Sequence, residues 1–139
     1  MVEEKKGIDY SKQGKRNRNA GRIFETKVRA GLEAMGWIVD KWTNTVDYEK
    51  LKLVPARRKY NPFKKVMVLG TGFPDFVAIK KIKEGYDVIG VEVKSNGYLD
   101  KIEKGMCLWL LENKVFSKIL IAKKGKKRGE VEYKEFKEK

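Results

Sequence analysis

Residues 70–95 decide the fold of this chain. They read GTGFPDFVAI over 70–79, KKIKEGY over 80–86 and DVIGVEVKS over 87–95. Two runs rich in Val and Ile flank a short polar link, and this arrangement is typical of a β-hairpin. We therefore predict two antiparallel strands at the centre of the fold.

Charged side chains lie at the open end of this predicted hairpin. Asp75 begins the first strand, and Glu92 and Lys94 end the second. A turn centred at 83–84 pairs Asp75 with Glu92, whereas a turn centred at 84–85 pairs Asp75 with Lys94. Because residues i and i+2 of a strand share a face, both registers bring the three side chains to one face, about 5 Å apart across the strands. Two carboxylates beside an ammonium predict a divalent-metal site.

The composition limits which metal such a site takes. The chain has no His, and Cys107 is its single Cys, which we predict to be a small core residue in a helix. These absences argue against His-based catalysis, disulfides and zinc knuckles, so oxygen ligands and Mg²⁺ are expected, with Mn²⁺ as a substitute. The predicted ligands are the carboxylates of Asp75 and Glu92 and the backbone carbonyl of Val93. Lys94 is predicted to orient or deprotonate water, or to neutralise charge on a phosphate.

The net charge indicates the class of partner. Lys and Arg number 33 against 19 Asp and Glu, which gives a net charge of +14 over 139 residues. Such an excess predicts a polyanionic partner, with nucleic acid as the leading candidate and plain solubility as the alternative. Together with the metal site, it suggests metal-dependent hydrolysis of a nucleic-acid backbone. The N-terminus is polar and no apolar run approaches a membrane span, so we expect a cytoplasmic protein without a membrane partner.

Basic residues are prominent in two segments. We predict residues 1–18 to be a flexible basic arm, either a solubilising tail or a segment that binds a nucleic-acid backbone. Residues 19–139 are predicted to form a single domain with a basic insertion at about 44–65, in which Tyr60 and Phe63 are interleaved with Lys and Arg. Such a loop suits phosphate contacts and stacking on bases. The residues predicted to contact nucleic acid are Lys15, Arg16, Arg18, Arg22, Arg57, Arg58, Lys59, Lys64 and Lys65.

Two amphipathic helices are predicted from apolar residues at helical spacing. The first spans about 20–35, with Asn19 as its N-cap and Gly36 after its end. The second begins at Asp100, with Glu103 completing a capping box, and ends near Asn113. The buried stripes are predicted to contain Phe24, Val28, Leu32 and Met35 in the first helix, and Ile102, Met106, Trp109 and Leu110 in the second.

Further strands are predicted around the central hairpin. They cover residues 37–43, where Ile38 and two tryptophans are packing residues, 66–69, 118–124 and, as an edge strand, 131–136. Strands interspersed with helices in this order predict an α/β fold, with a central mixed β-sheet flanked by helices.

The two central motifs of the chain resemble those of a known superfamily. Pro74-Asp75 followed by Glu92-Val93-Lys94 is similar to the motif of the PD-(D/E)XK nucleases. Within that superfamily, residues 21–25, the strand ending at Trp42 and residues 92–95 resemble archaeal Holliday-junction resolvases. Residues 72–75 and the helix that contains Trp109 resemble the related VRR-NUC nucleases. The resemblance covers about 21–123 and is most specific in the two central motifs.

The resemblance implies a restriction-endonuclease-like core, with the element order α-β-β-β-α-β. It implies that Asp75 and Glu92 are Mg²⁺ ligands, that Lys94 is the catalytic lysine, and that Glu25 is a site residue. By residue type alone, Glu25 reads as a favourable carboxylate near a helix N-terminus or a surface partner of a neighbouring Arg. The implied activity is that of an endodeoxyribonuclease that cuts branched DNA as a homodimer.

The sequence departs from the resembled families in two places, which leaves the substrate open. The insertion at 44–65 is long for a resolvase. The glutamine that VRR-NUC nucleases carry three residues before the Trp is Met106 here, and Glu103 or Lys104 are its possible substitutes. The alternatives are a nuclease that acts on flap, single-stranded or duplex DNA, or on RNA, and a non-catalytic nucleic-acid-binding protein on a nuclease fold.

Overall fold

The computed structural model describes residues 10–47, 49–56, 58–61, 66–69 and 72–138, with the backbone alone for 10–16, 58–61 and 66–69. Two helices and nine strands are assigned in these ranges. In chain order they are α1 (Tyr10–Ala34), β1 (Ile38–Lys41), β2 (Asn44–Asp47), β3 (Lys52–Pro55), β4 (Arg58–Asn61), β5 (Val66–Leu69), β6 (Phe76–Lys81), β7 (Tyr86–Val93), α2 (Lys101–Glu112), β8 (Ile119–Lys124) and β9 (Val131–Glu135).

Five of the strands form one mixed sheet in the order β1-β6-β7-β8-β9. Neighbouring strands run antiparallel except β7 and β8, which are parallel and are connected through α2. The predicted α/β class with a central mixed sheet is therefore confirmed. The predicted strand at 118–124 corresponds to β8, and the predicted edge strand corresponds to β9.

The two helices cover opposite faces of this sheet. On one face, Phe24, Val28 and Leu32 of α1 pack with sheet residues that include Ile89 and Val91. On the other face, α2 contributes Cys107 and Leu110 to a second cluster with Phe73, Phe116 and Ile119. Because successive residues of β7 point to opposite faces, Val91 belongs to the α1 face, whereas Glu92 belongs to the α2 face.

The central hairpin has the first of the two predicted registers. Ile79 pairs with Val88 and Lys81 pairs with Tyr86, so the turn is centred at 83–84. The same register continued beyond the ladder places Asp75 opposite Glu92.

The N-terminal helix is longer than predicted. It begins at Tyr10, so the predicted start at Ala20 with an Asn19 cap is wrong, and residues 10–18 of the predicted arm are helical. The segment before Ala20 lacks Pro and contains Lys, Arg and Gln, whose helix propensities are high, so nothing local stops the helix there. The rest of the predicted arm, residues 1–9, lies outside the described residues.

The basic insertion forms strands where a loop was predicted. β2 and β3 form one antiparallel pair, and β4 pairs with β5, which is the predicted strand at 66–69. Both pairs are separate from the main sheet. In the part of the chain that the structure describes, no helix has the length and apolar character needed to cross a membrane.

Three apolar residues that were predicted to be buried are exposed. Met35 follows the end of α1, at the turn where Gly36 has a φ of 97°, and is 49% exposed. Ile38 lies on edge strand β1 and faces away from the α1 core. Ile102 is exposed because the buried side of α2 is centred on Cys107 and Leu110. Leu110 was part of the predicted stripe, and the predicted Met106 and Trp109 are partly buried against the same cluster.

Candidate active site

Two glycines allow the chain to bring Asp75 down onto the sheet. A Cβ atom on Gly72 would lie 2.4 Å from the carbonyl oxygen of Trp42, so only glycine fits where these segments cross. A Cβ atom on Gly90 would lie 2.8 Å from Cγ of Pro74, so the missing side chain in β7 provides the space for the proline ring. Asp75 follows that proline directly, and its carbonyl oxygen accepts a hydrogen bond of 3.0 Å from the Trp42 amide.

Asp75 and Glu92 are joined by reciprocal hydrogen bonds. The amide of Asp75 donates to Oε1 of Glu92 over 3.1 Å, and the amide of Val93 donates to Oδ2 of Asp75 over 2.9 Å. Each carboxylate therefore accepts from the backbone of the neighbouring strand. These bonds hold both side chains at the end of the hairpin without consuming all of their oxygen lone pairs.

The Glu92 carboxyl is buried beside a second carboxyl. Glu92 is 5% exposed and is the one charged residue in the described part of the chain that is classed with the core. Burial, then the charge of Asp75 and a hydrogen bond with the Asp75 side chain, raise the pKa of Glu92 to about 9, against a smaller opposite effect of Lys94. Two carboxyl groups this close cannot both ionise unless a cation compensates them.

Lys94 continues this row and contacts helix α2. Its ammonium lies 2.6 Å from Oε2 of Glu103 and 3.6 Å from Oε2 of Glu92. Burial lowers the pKa of Lys94, but the hydrogen bond to Glu103 and the charges of Glu92 and Glu103 outweigh it, and the pKa is raised overall. Lys94 is thus an ammonium at neutral pH.

Glu103 has two functions in one side chain. Its Oε1 accepts from the Asp100 amide over 3.0 Å, while its own amide donates to Oδ1 of Asp100 over 2.8 Å, which completes the predicted capping box. Its second oxygen holds Lys94. The capping-box spacing was readable in the sequence, but the contact with Lys94 was not predicted, because it depends on how α2 packs on the sheet.

Cys107 lies one turn further along α2 and is fully buried, as predicted for a core residue. Burial, with smaller contributions from Glu92 and Glu103, raises the pKa of its thiol to about 12. The thiol is therefore protonated at neutral pH and is a poor nucleophile.

Glu25 is not part of this row of contacts. Its carboxylate lies 3.5 Å from the ammonium of Lys41, which ends β1 on the α1 face of the sheet. Lys41 pairs across the sheet with Phe76, the residue after Asp75, so Glu25 lies at the same end of the sheet but against its opposite face. Residue type alone predicted a position near the helix N-terminus or an ion pair with a neighbouring Arg. Glu25 instead lies in the middle of α1, and its described ion pair is with Lys41.

The predicted nucleic-acid contacts are only partly described. Arg18 and Arg22 are exposed on α1. Lys15 and Arg16 lie in α1, and Arg58 and Lys59 in β4, with their backbone alone described. Arg57, Lys64 and Lys65 lie outside the described residues.

The donor groups at this site for the expected Mg²⁺ are carboxylates. Among residues 10–47, 49–56, 58–61, 66–69 and 72–138, no three or more Asp, Glu, Cys or His side chains are grouped so as to hold a metal ion. Mg²⁺ does not require such a cage, since one or two carboxylates with waters and substrate phosphates suffice. Asp75 and Glu92 provide two carboxylates whose mutual repulsion calls for a cation, so these residues fit Mg²⁺.

No protein-family model matches the chain, and no curated protein or solved structure matches it either.

Proposed function

We propose that this protein is a metal-dependent endonuclease that hydrolyses phosphodiester bonds in DNA. The observation that carries the proposal is the pair of carboxyl groups of Asp75 and Glu92, of which Glu92 is buried and Asp75 half-buried, beside the ammonium of Lys94 at the end of the central hairpin. Burying a carboxyl group beside a second one weakens a fold unless the charge is compensated, so the position of Glu92 favours a functional site. The net charge of +14 favours a polyanionic substrate.

The residues have distinct roles in this proposal. Asp75 and Glu92 hold Mg²⁺ or Mn²⁺, together with the backbone carbonyl of Val93. When bound, the cation supplies positive charge that favours hydroxide over water and offsets the negative charge of the phosphate. The hydrogen bonds that the backbone amides of Asp75 and Val93 donate to the carboxylates of Glu92 and Asp75 keep these side chains in place before the substrate arrives.

Lys94 is proposed to stabilise charge on the phosphate rather than to remove a proton from water. Its raised pKa keeps it protonated at neutral pH, and an ammonium can donate to a phosphate oxygen but cannot accept a proton. Glu103 holds this ammonium close to the carboxylates. A flexible surface lysine would have to be ordered by the substrate, at a cost in entropy.

The finer part of the proposal concerns the core and the substrate. The main sheet and its helices follow the order α1-β1-β6-β7-α2-β8, which is the order expected of a restriction-endonuclease-like core and supports the resemblance to PD-(D/E)XK nucleases. By that resemblance, we propose a structure-selective enzyme that acts on Holliday junctions as a homodimer. Light scattering of the purified protein tests the homodimer, since a monomer mass across concentrations would contradict it.

A cleavage assay tests the activity. Labelled four-way junction, flap, duplex and single-stranded DNA, and an RNA strand, are incubated with the protein and either Mg²⁺ or EDTA. We expect cleavage with Mg²⁺ alone, strongest on the junction, and its loss in Asp75→Asn, Glu92→Gln and Lys94→Ala. Asp40→Asn and Lys81→Ala are matched controls, since both remove an exposed charge outside the site.

Each outcome of the assay has a distinct meaning. Cleavage that survives all three site variants would contradict the proposed site. Binding of DNA without cleavage under any condition would favour a non-catalytic binding protein. Equal cleavage of all DNA forms would retain the nuclease and exclude the selectivity for junctions.

A further inference from the structure

A second candidate binding site lies on the α1 face of the sheet. A pocket of about 410 Å³ separates α1 from the turn that connects β8 to β9. Ala20, Ile23, Phe24 and Lys27 form its helical wall, and residues 124–130 form the other. Two backbone hydrogen bonds close the turn, from Gly125 to the Glu130 carbonyl over 2.8 Å and from Glu130 to the Lys127 carbonyl over 3.1 Å.

The lining of this pocket is strongly basic. Among the described residues, the lining contains one carboxylate, Glu130, and five cationic side chains, which are Lys27, Lys124, Lys126, Lys127 and Arg128. All five cationic residues are exposed. Within the described residues none of the five forms an ion pair, whereas Arg29, Lys41, Lys94 and Lys123 each have a carboxylate partner. Uncompensated cations around a concave surface create a local positive potential that attracts a polyanion.

Two of these cations rest against non-polar parts of the pocket. The ammonium of Lys124 lies over the ring of Phe24, 5.9 Å from its centroid. The ammonium of Lys27 would be 3.4 Å from a Cβ atom on Gly129 and so lies close to the turn across the pocket. Ile23 adds an apolar side chain that is 65% exposed. Cations beside an exposed apolar surface match a nucleic-acid strand, which offers phosphates together with sugars and bases.

The pocket is at the same end of the sheet as the carboxyl pair. β7 and β8 are parallel, with Glu92 paired with Ile121, and the Lys94 amide donates to the Ala122 carbonyl over 2.9 Å. The turn therefore starts just beyond the strand that flanks the candidate active site. The four steps from Ala122 to Lys126 span at most about 13 Å of chain, and a DNA strand rises about 3.4 Å per nucleotide, so a bound strand can pass from the candidate active site to the pocket within a few nucleotides.

We propose that this pocket, between α1 and the β8–β9 turn, binds the phosphodiester backbone of the substrate strand a few nucleotides from the scissile bond. The assignment of the bound strand as substrate rests on the proposed nuclease function. The pocket grips the strand through the cations of the turn and of Lys27, while the carboxyl pair and Lys94 act on the scissile phosphate at the opposite face. Arg18 and Arg22, the two predicted nucleic-acid contacts whose side chains the structure describes, are not among the described residues that line this pocket.

A matched pair of double variants tests the binding. Lys126→Ala with Lys127→Ala removes two exposed cations from the pocket, and Lys81→Ala with Lys83→Ala removes two exposed cations from the far end of the β6–β7 hairpin. Binding to labelled junction and duplex DNA is measured in EDTA over a range of salt concentrations. We expect the pocket variant to bind about tenfold more weakly, with a salt dependence lower by about one to two phosphate contacts. The control should stay within about twofold of the unmodified protein.

Cleavage kinetics place the contact on the substrate strand. In Mg²⁺, we expect the pocket variant to raise KM while kcat is unchanged, because the pocket holds the strand and does not touch the reacting atoms. Substrates are then shortened one nucleotide at a time on either side of the cut. Once the strand no longer reaches the pocket on one side, the unmodified protein and the pocket variant should become equal.

The outcomes separate the pocket from the nuclease. Equal binding by the two double variants would overturn the pocket assignment and leave the nuclease intact, provided that the unmodified protein cleaves. Absence of cleavage by the unmodified protein would overturn the nuclease, and the contrast between the double variants would still decide whether the pocket binds nucleic acid. Displacement of DNA by poly-glutamate as readily as by unlabelled DNA would overturn the assignment in favour of an acidic protein partner.

Discussion

At the end of the sheet that carries the candidate active site, the two faces are built in opposite ways. On the α2 face, Asp75, Glu92, Lys94 and Glu103 are linked by hydrogen bonds and ion pairs, and Glu92 is buried. On the α1 face, the cations of the pocket are exposed and lack ion-pair partners among the described residues. A linked and buried cluster is preorganised for chemistry, whereas free exposed cations suit reversible contacts with a polyanion. The comparison predicts that changes on one face alter the rate and changes on the other alter affinity.

Loss of a carboxylate on the α2 face should have the largest effect. We expect Asp75→Asn to lower kcat about 10³-fold, because it removes a charged metal ligand and leaves the second carboxyl group without its partner. DNA binding in EDTA should change little, in contrast to the pocket variant Lys126→Ala with Lys127→Ala. Single-turnover kinetics and binding titrations measure the two quantities. If Asp75→Asn weakened binding and left kcat intact, the division of labour between the faces would be wrong.

The pKa of Glu92 makes the stability of the metal-free protein depend on pH. The folded state raises this pKa from its ordinary value of 4.5 to about 9, so it binds the proton more tightly than the unfolded chain does. The associated stability is present below pH 4.5 and is lost as the pH rises through about 9. In urea titrations across this range, the free energy of unfolding should fall more steeply for the unmodified protein than for Glu92→Gln, which cannot ionise.

Mg²⁺ provides the control for that experiment. A cation that replaces the proton should restore stability at high pH in the unmodified protein and should leave Glu92→Gln much less affected. If the free energy of unfolding changed with pH equally in the two proteins, Glu92 would have an ordinary pKa. The argument for a functional site from its burial beside Asp75 would then fail.

Removing the charge of Glu103 should have an intermediate effect that separates its two roles. Gln suits the capping box, so Glu103→Gln should leave helix α2 and the free energy of unfolding nearly unchanged. The pKa of Lys94 should fall and kcat should decrease about 10- to 100-fold, since a lysine-positioning partner is lost. Glu103→Ala should in addition cost about 1 kcal/mol of stability through the lost cap. If Glu103→Gln kept the kcat of the unmodified protein and the same pH dependence of kcat, Glu103 would act only as a helix cap and not as a partner of Lys94.

Glu25→Gln should have the smallest effect. The resemblance to resolvases makes Glu25 a site residue, whereas its contact with Lys41 on the α1 face makes it part of an exposed ion pair. From the geometry, we expect kcat within about threefold of the unmodified protein and a stability change below about 1 kcal/mol. A hundredfold loss in kcat would instead show that Glu25 acts together with Asp75 and Glu92. In that case a residue on the α1 face would also control the rate, and the proposed difference between the faces would be wrong.

The sequence predicted those parts of the fold that local patterns specify. Two runs rich in Val and Ile, joined by a polar link, predicted the central hairpin. The two possible turn positions left two registers, both of which gave the same outcome for the site. The capping box fixed the start of α2 at Asp100. Helical spacing was less informative for α2, because more than one side of this helix carries apolar residues. Ile102 fits an apolar stripe but is exposed. Glu103 and Cys107 face the sheet instead, and Glu103 contacts Lys94 there.

Residue identity by itself determined that acid–base catalysis or metal binding by this chain would depend on carboxylates and lysine, since the chain has no His and a single Cys. Spacing along the second strand determined that Glu92 and Lys94 share a face, because parity within a strand is a local property, and both possible turn positions brought Asp75 to that face. Only the tertiary structure decided that Glu103 holds Lys94, that Glu25 pairs with Lys41 on the other face, and that α1 and the β8–β9 turn enclose a basic pocket. Each of these depends on how a helix packs against a sheet, and such contacts join residues whose separation in the chain carries no periodic signal.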